Sequence, residues 1–278
     1  MDAGLKKLDP LQELLSVVLD QDRRGSVMYS LSALLNAVDQ VREFMSADSQ
    51  RILNDLRDQM AALPEHMQTW LQAAPEEALD SLVSSLLALA GLAQESMVRG
   101  QGWHFLDMGR RIERCLTSIS LLRSLLVPVA GEDDQPVLLE TTLLTTEALM
   151  TYRRRYQRNT RLEDALDLLL LEPANPRSLL FQLQQLESHL QALPAADEGS
   201  HLTGAQRLLL EASSQLRLAD LGALAQVPEG QYLRSDLDQL LTRIQQLVTR
   251  IAETIDEQFF VHAEGPQPMT PSELAPKP

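Results

Sequence analysis

Arginine is the residue type in this sequence with the most chemistry to offer, and its placement is uneven. Arg110, Arg111 and Arg114 fall within two helical turns that also hold Asp107 and Glu113, while Arg153, Arg154, Arg155, Arg158 and Arg161 follow Tyr152 and surround Tyr156. Guanidinium groups stay charged near neutral pH and grip carboxylates or phosphates through paired N–H donors. In a chain of net charge −15 such clusters serve internal salt bridges, a small anionic ligand or an acidic partner. A third stretch, Asn175-Pro176-Arg177-Ser178, reads as a helix start with Asn175 as cap and Pro176 at the first helical position. It brings Arg177 and Gln182 into play at a helix N-terminus, where anions are favoured. The candidate site is therefore a polar cluster of Arg110, Arg111, Glu113, Arg114, Tyr152, Arg155, Asn175, Arg177 and Gln182, gathered between helices.

No catalytic residue can be named beside it, because no nucleophile stands with a matched base and the phosphate-loop, nucleophile-elbow and paired-cysteine signatures are absent. Glu198 and His201 have the spacing of a di-metal ligand pair, but in a loop rich in Pro and Gly that spacing fixes no common face. No metal and no cofactor is expected. The single cysteine, Cys115, reads as a small buried hydrophobe.

These side chains need rigid elements to hold them, and composition says which kind. Hydrophobic residues make up 44% of the 278 residues while aromatics are only 4%, and no run alternates over strand length. That pattern belongs to helices. Phe105, Met108, Ile112, Cys115, Ile119 and Leu122 recur every three or four residues, which makes the stretch from Gly102 to Leu126 a core helix carrying the first arginine group on its other faces. Gly109, in mid-helix at a cost of about 1 kcal/mol, implies a close helix crossing. No apolar run reaches the roughly 18 residues of a membrane span, and no signal peptide opens the chain, so a cytoplasmic protein is expected. The acidic balance argues against nucleic acid.

Capping signals mark the remaining helices: Asp9-Pro10, Ser26, Pro75-Glu76-Glu77, a Thr160/Glu163 box and a Thr203/Gln206 box, with Pro64 as an interruption. Continuous helices are expected from Val137 to Tyr156, from Thr203 to Gln226 and from Tyr232 to His262. An internal repeat lies beneath this order: Asp20–Ser26 aligns without gaps on Glu172–Ser178, an offset of 178 − 26 = 152, and Val18, Leu19, Tyr29, Leu31 and Leu34 find apolar partners at the same offset. The fold expected is all-α, a bundle of about nine to ten helices in two duplicated halves. It spans residues 1–262 and precedes a disordered Pro-rich tail over 263–278.

Three ordered motifs, Gly102–Arg114, Thr151–Tyr156 with Leu168–Leu171, and Asn175–Leu179, resemble those of the bacterial Alpha-E domain family over roughly residues 9–262. Members of that family typically open with a helix bearing Tyr-Trp-x-Gly-Arg-Tyr-x-Glu-Arg, similar to Gly109–Arg114, and no such helix precedes residue 20 here. Asp39 also stands where the family's pattern has an arginine, while Arg42 and Glu43 are kept. The resemblance implies association with circularly permuted ATP-grasp proteins and transglutaminase-like proteases. It suggests a non-catalytic helical companion of a peptide or amide ligase that docks on it or holds its peptide or amino-acid substrate. An enzyme of the same pathway, using an Arg/Tyr anion site, is the alternative. The unmatched first helix further implies an uncovered apolar stripe around the central helix that holds Gly109, and with it self-association or a need for the partner.

Overall fold

The computed structural model describes residues 9–70, 74, 76–131, 133–156, 161–194 and 202–260, so the Pro-rich tail, Arg158, the Thr160 box and the Glu198/His201 pair lie outside the described residues. Twelve α-helices, one 3₁₀ turn and one π turn account for the regular structure described, with a lone bridge between Pro128 and Leu233. The chain divides into two compact units, residues 1–98 and 99–278.

The first unit holds α1 (Pro10–Leu19), α2 (Val27–Gln40), α3 (Ala47–Trp70) and α4 (Asp80–Ser96). Asp9 caps α1 by accepting from the Leu11 N–H at 3.2 Å, and Ser26 caps α2 through the Tyr29 N–H at 3.0 Å. Val18, Met28, Leu31, Leu35, Leu53, Leu56, Leu63, Met67 and Leu82 form its core. Contrary to the sequence reading, α3 runs straight through Pro64. Leu63 and Met67, on either side of it, are fully buried on one face. Each such burial is worth about 1.5–3 kcal/mol, enough together to offset a proline's interior penalty of about 3 kcal/mol. The helix expected at Pro75–Glu77 begins only at Asp80, after a turn in which the Leu79 N–H donates to the Glu76 carbonyl.

The second unit holds α5 (Gln101–Leu125), α6 (Asp134–Thr145), α7 (Leu149–Tyr156), α8 (Leu162–Leu166) continuing as a π turn over Asp167–Leu171, α9 (Leu179–Ala192), α10 (Gly204–Arg217), α11 (Leu221–Ala225) and α12 (Ser235–Phe259). On α5 the expected stripe is the buried one: Met108, Cys115, Ile119 and Leu122 lie in the core, with Phe105 and Ile112 packed at its edge. Helices outnumber the expected nine to ten because two long ones are broken. Glu147, at φ 54°, ends α6 in a left-handed turn, with its N–H donating to Leu144 and the Ala148 N–H to the Leu143 carbonyl. Asp220 stops α10 from continuing, accepting from the Gly222 and Ala223 N–H groups to start α11. Gly109 also departs from expectation: it is exposed, and a Cβ there would meet nothing within 4 Å. No close crossing requires this glycine among the described residues.

Asn175 is not the cap of α9. Ser178 takes that role through the Phe181 N–H at 3.1 Å, while the Asn175 amide donates to the Leu168 carbonyl at 2.8 Å in the widened π turn and its Oδ1 accepts from the Arg177 N–H. Arg234 holds the other end of this unit: buried, it donates to the carbonyls of Leu126 at 2.7 Å, Ala225 at 3.2 Å and Pro128 at 3.3 Å, closing the C-terminal ends of α5 and α11.

The repeat read from the sequence has a structural counterpart inside each unit. The bounds of α1 and α2, 10–19 and 27–40, reappear at 162–171 and 179–192, every one displaced by 162 − 10 = 152. The linkers share their main bonds: the Ser26 hydroxyl donates to the Asp20 carbonyl as Ser178 does to Glu172, and the Asp20 and Glu172 side chains accept from the Asp22 and Ala174 N–H groups. The packing order α1–α2–α3–α4 in the first unit parallels π turn–α9–α10–α12 in the second. In the second unit α5 lies against both α9 and α12. Among the described residues of the first unit, no helix stands so against α2 and α4.

Candidate functional site

The site is built on the antiparallel contact of α5 with α9. From His104 to Arg111 α5 advances 111 − 104 = 7 residues, while its partners retreat along α9 by 189 − 182 = 7. His104 Nδ1 meets His189 Nδ1 at 2.9 Å, and Arg111 donates to Gln182 Oε1 at 3.2 Å. Between these rungs sits Asp107, almost wholly buried, whose Oδ2 accepts from Arg111 Nε at 2.9 Å and faces His189 Nε2 at 2.7 Å. Its Oδ1 lies 3.4 Å from Arg110 and has no hydrogen bond of its own. Burial alone raises the Asp107 carboxyl, but the hydrogen bonds from His189 and Arg111 and the charges of Arg111 and Arg110 outweigh it, holding the group well below the ordinary carboxylate range. His104 is shifted down, first by burial and then by the charge of His189. Trp103 packs edge-on against both imidazoles and stacks under the Arg99 guanidinium at 4.1 Å.

Further along α5 the arginines run out of acceptors. Gln182 is engaged twice, by Arg111 and by its own bond to the Pro176 carbonyl. Arg177 pairs with Glu147 at 2.7 Å. Arg114, half-buried, has neither a hydrogen-bond acceptor nor a carboxylate within salt-bridge reach among the described residues. Burial, then Arg110, Arg177 and Arg111, all act to lower its proton affinity, and only Asp107 opposes them. Glu113 is exposed.

The remaining candidates form a separate group on the far side of the loop before α9. Tyr152 is buried and its hydroxyl both donates to and accepts from the backbone of Arg161, at 3.1 and 2.8 Å. Arg155 pairs with Glu172 and approaches Asp167 at 3.6 Å, and the Tyr156 hydroxyl donates to Asp167 at 2.5 Å. So the structure brings together Arg110, Arg111, Arg114, Arg177 and Gln182, but puts Tyr152, Arg155 and Asn175 to work fastening the π turn and its neighbours. Asp107, His104, His189 and Trp103 are the residues the sequence reading missed. Their only signal was the i,i+3 spacing of His104 and Asp107, since nothing in a single sequence pairs residue 107 with residue 189. Among the described residues no group of three or more His, Cys, Asp or Glu side chains is placed to hold a metal ion. The Cys115 thiol, pushed up to about 12 by burial, is inert packing.

An internally repeated, all-helical bundle with a buried Arg–Asp–His contact across its main helix pair is the class of protein this geometry defines. The family described as Alpha-E, a predicted alpha-helical domain with a conserved ER motif, matches residues 3–260, and the chain belongs to it. The one Glu-Arg dipeptide in the sequence is Glu113-Arg114, on α5. Among curated proteins, the chain is similar to Uncharacterized protein Rv2567 of Mycobacterium tuberculosis and Uncharacterized protein Mb2597 of Mycobacterium bovis, each 30% identical over 258 residues, 92% of this chain. It spans only 29% of the length of either relative. No solved structure matches.

Proposed function

We propose that this chain is a non-catalytic helical partner in a peptide- or amide-forming system, docking on a circularly permuted ATP-grasp ligase and helping to hold its peptide or amino-acid substrate. The observation that carries this reading is the length of the mycobacterial relatives: the bundle makes up under a third of them, so there it is one module beside other domains. Supporting it, the polar side chains of α5 and α9 are mostly spent on each other, as in a scaffold rather than a reaction centre. A transglutaminase-like protease is a further partner of the same system, and a cytoplasmic location follows for a companion of an ATP-using enzyme. The alternative of an enzyme built on an Arg/Tyr site draws no support from Tyr152, which is committed to the Arg161 backbone.

The test is co-purification of the chain with an ATP-grasp protein encoded beside it, followed by ATP-dependent amide formation with and without the chain. Complex formation and a rate that depends on the chain are expected. A ligase that neither binds it nor changes rate in its presence would sink the reading.

A further inference from the structure

We propose that the corner between α5, the loop before α9 and the α6–α7 turn is a binding site for a phosphate-class dianion, with Arg114, Arg110 and Arg177 as its donors. Arg110, Arg111, Arg114 and Arg177 meet there with only two carboxylates, Asp107 and Glu147, among their described contacts. Two positive charges are left over in a protein whose net charge is −15. A desolvated guanidinium without an acceptor is costly, and a ligand anion is the group that would complete it.

The rungs between α5 and α9 carry Arg114 about one turn beyond Arg111, toward residues 177–179, where Arg177 adds its field. Arg110, one turn back on α5, contacts Asp107 only at 3.4 Å and leaves N–H groups uncommitted. Donors thus come from two elements, Arg110 and Arg114 from α5 and Arg177 from the loop before α9, near enough that their charges act on one another. A tetrahedral dianion offers more acceptor oxygens, spread over more directions, than the two in-plane oxygens of a carboxylate, and suits donors that arrive from two elements.

Glu147, the present partner of Arg177, has a side chain 74% exposed and holds a left-handed backbone conformation that a non-glycine residue adopts at a cost. An incoming dianion displaces this weak exposed pair and gains Arg177. Arg114, the arginine of the sequence's one Glu-Arg dipeptide, is the member of the group without an acceptor among the described residues.

This inference names a ligand class for the substrate-holding role, but its test needs no ligase, so either reading can fail without the other. Inorganic phosphate is titrated into the full chain by calorimetry and by thermal shift at constant ionic strength, with sulfate and succinate as parallel titrants. Saturable phosphate binding is expected, shared by sulfate and weaker for succinate. Arg114→Gln and Arg177→Gln should each weaken it by at least about tenfold, the loss of a charge-assisted hydrogen bond. Glu147→Gln, which frees Arg177 without touching α5, should tighten it several-fold. Circular dichroism checks each variant's fold; should Arg114→Gln fail to fold, Arg177→Gln and Glu147→Gln still decide. Absence of saturation in the wild-type chain, affinity unchanged in these variants, or succinate binding as tightly as phosphate overturns the proposal.

Discussion

Asp107 gathers the charges where α5 meets α9: Arg110 and Arg111 from its own helix and His189 from α9 converge on one buried carboxylate. Removing one member of a buried ion pair costs about 3–5 kcal/mol because its partners remain buried and charged. Asp107→Asn should therefore lower the melting temperature by roughly 10 °C in a unit of this size. The pH dependence has a definite sign. The folded carboxyl titrates below its unfolded value of about 3.9, so its contribution is complete above that pH and disappears as the pH falls further. The gap between wild type and Asp107→Asn should thus narrow below about pH 4; a gap constant from pH 7 to pH 3 would contradict a carboxylate held ionised. His104 acts in a higher window. Its proton affinity is depressed by burial and by His189, so the unfolded chain takes up the proton first and stability declines as the pH drops below about 6.5. His104→Gln should flatten that decline in thermal melts between pH 7 and pH 5.

Elements here are ended and joined by single residues, which makes their contributions separable. Gly109 sits in open space in the middle of α5, so Gly109→Ala should stabilise the chain by about 0.5–1 kcal/mol in urea unfolding. If the same substitution weakened binding to a partner, the open face of α5 would be where that partner lies. Arg234 presents the opposite case. Three backbone carbonyls depend on one buried guanidinium, and Arg234→Ala leaves them without donors at a cost of roughly 3 kcal/mol. Lysine should not restore it, because a point charge on a flexible stem cannot span carbonyls from two helix ends.

At the scale of the molecule, the two units use one four-helix pattern with different cover. Gln182, His189 and Leu193 are buried in the second unit, while their counterparts at the 152-residue offset, Ser30, Ala37 and Val41, are exposed in the first. On α4, Val83 and Leu87 are more than half exposed as well. Apolar area of this kind is worth about 25 cal/mol per Å² when covered, which favours association before binding entropy is subtracted. Sedimentation across a wide concentration range should show self-association that polar substitutions at Val41, Val83 and Leu87 abolish; a strictly monomeric chain would mean the first unit is stable with that face open to water. The second unit has its own core and caps, and residues 99–260 alone should unfold in one cooperative transition.

The all-helical class, the α5 stripe, the caps at Asp9, Ser26 and Thr203, and the 152-residue repeat were legible in the sequence because each is local: it rests on spacing within a turn or on a gapless match. Pro64 shows where local rules lose, since two fully buried neighbours outweigh one missing hydrogen bond. Glu147 shows the reverse, a break set by a left-handed backbone conformation that no propensity announced, while Asp220 is an N-cap signal inside a stretch that periodicity reads as one helix. Of the candidate site, the sequence could nominate arginines but not their counter-charges. Asp107 meets His189 across 82 residues of chain, and Arg155 turns toward Glu172 rather than toward α5. Only the packing of α5 on α9 decides which charges are neutralised inside the fold and which, as at Arg114, find no counter-charge among the described residues, because a salt bridge is fixed by distance in space and by desolvation, and one-dimensional spacing encodes neither.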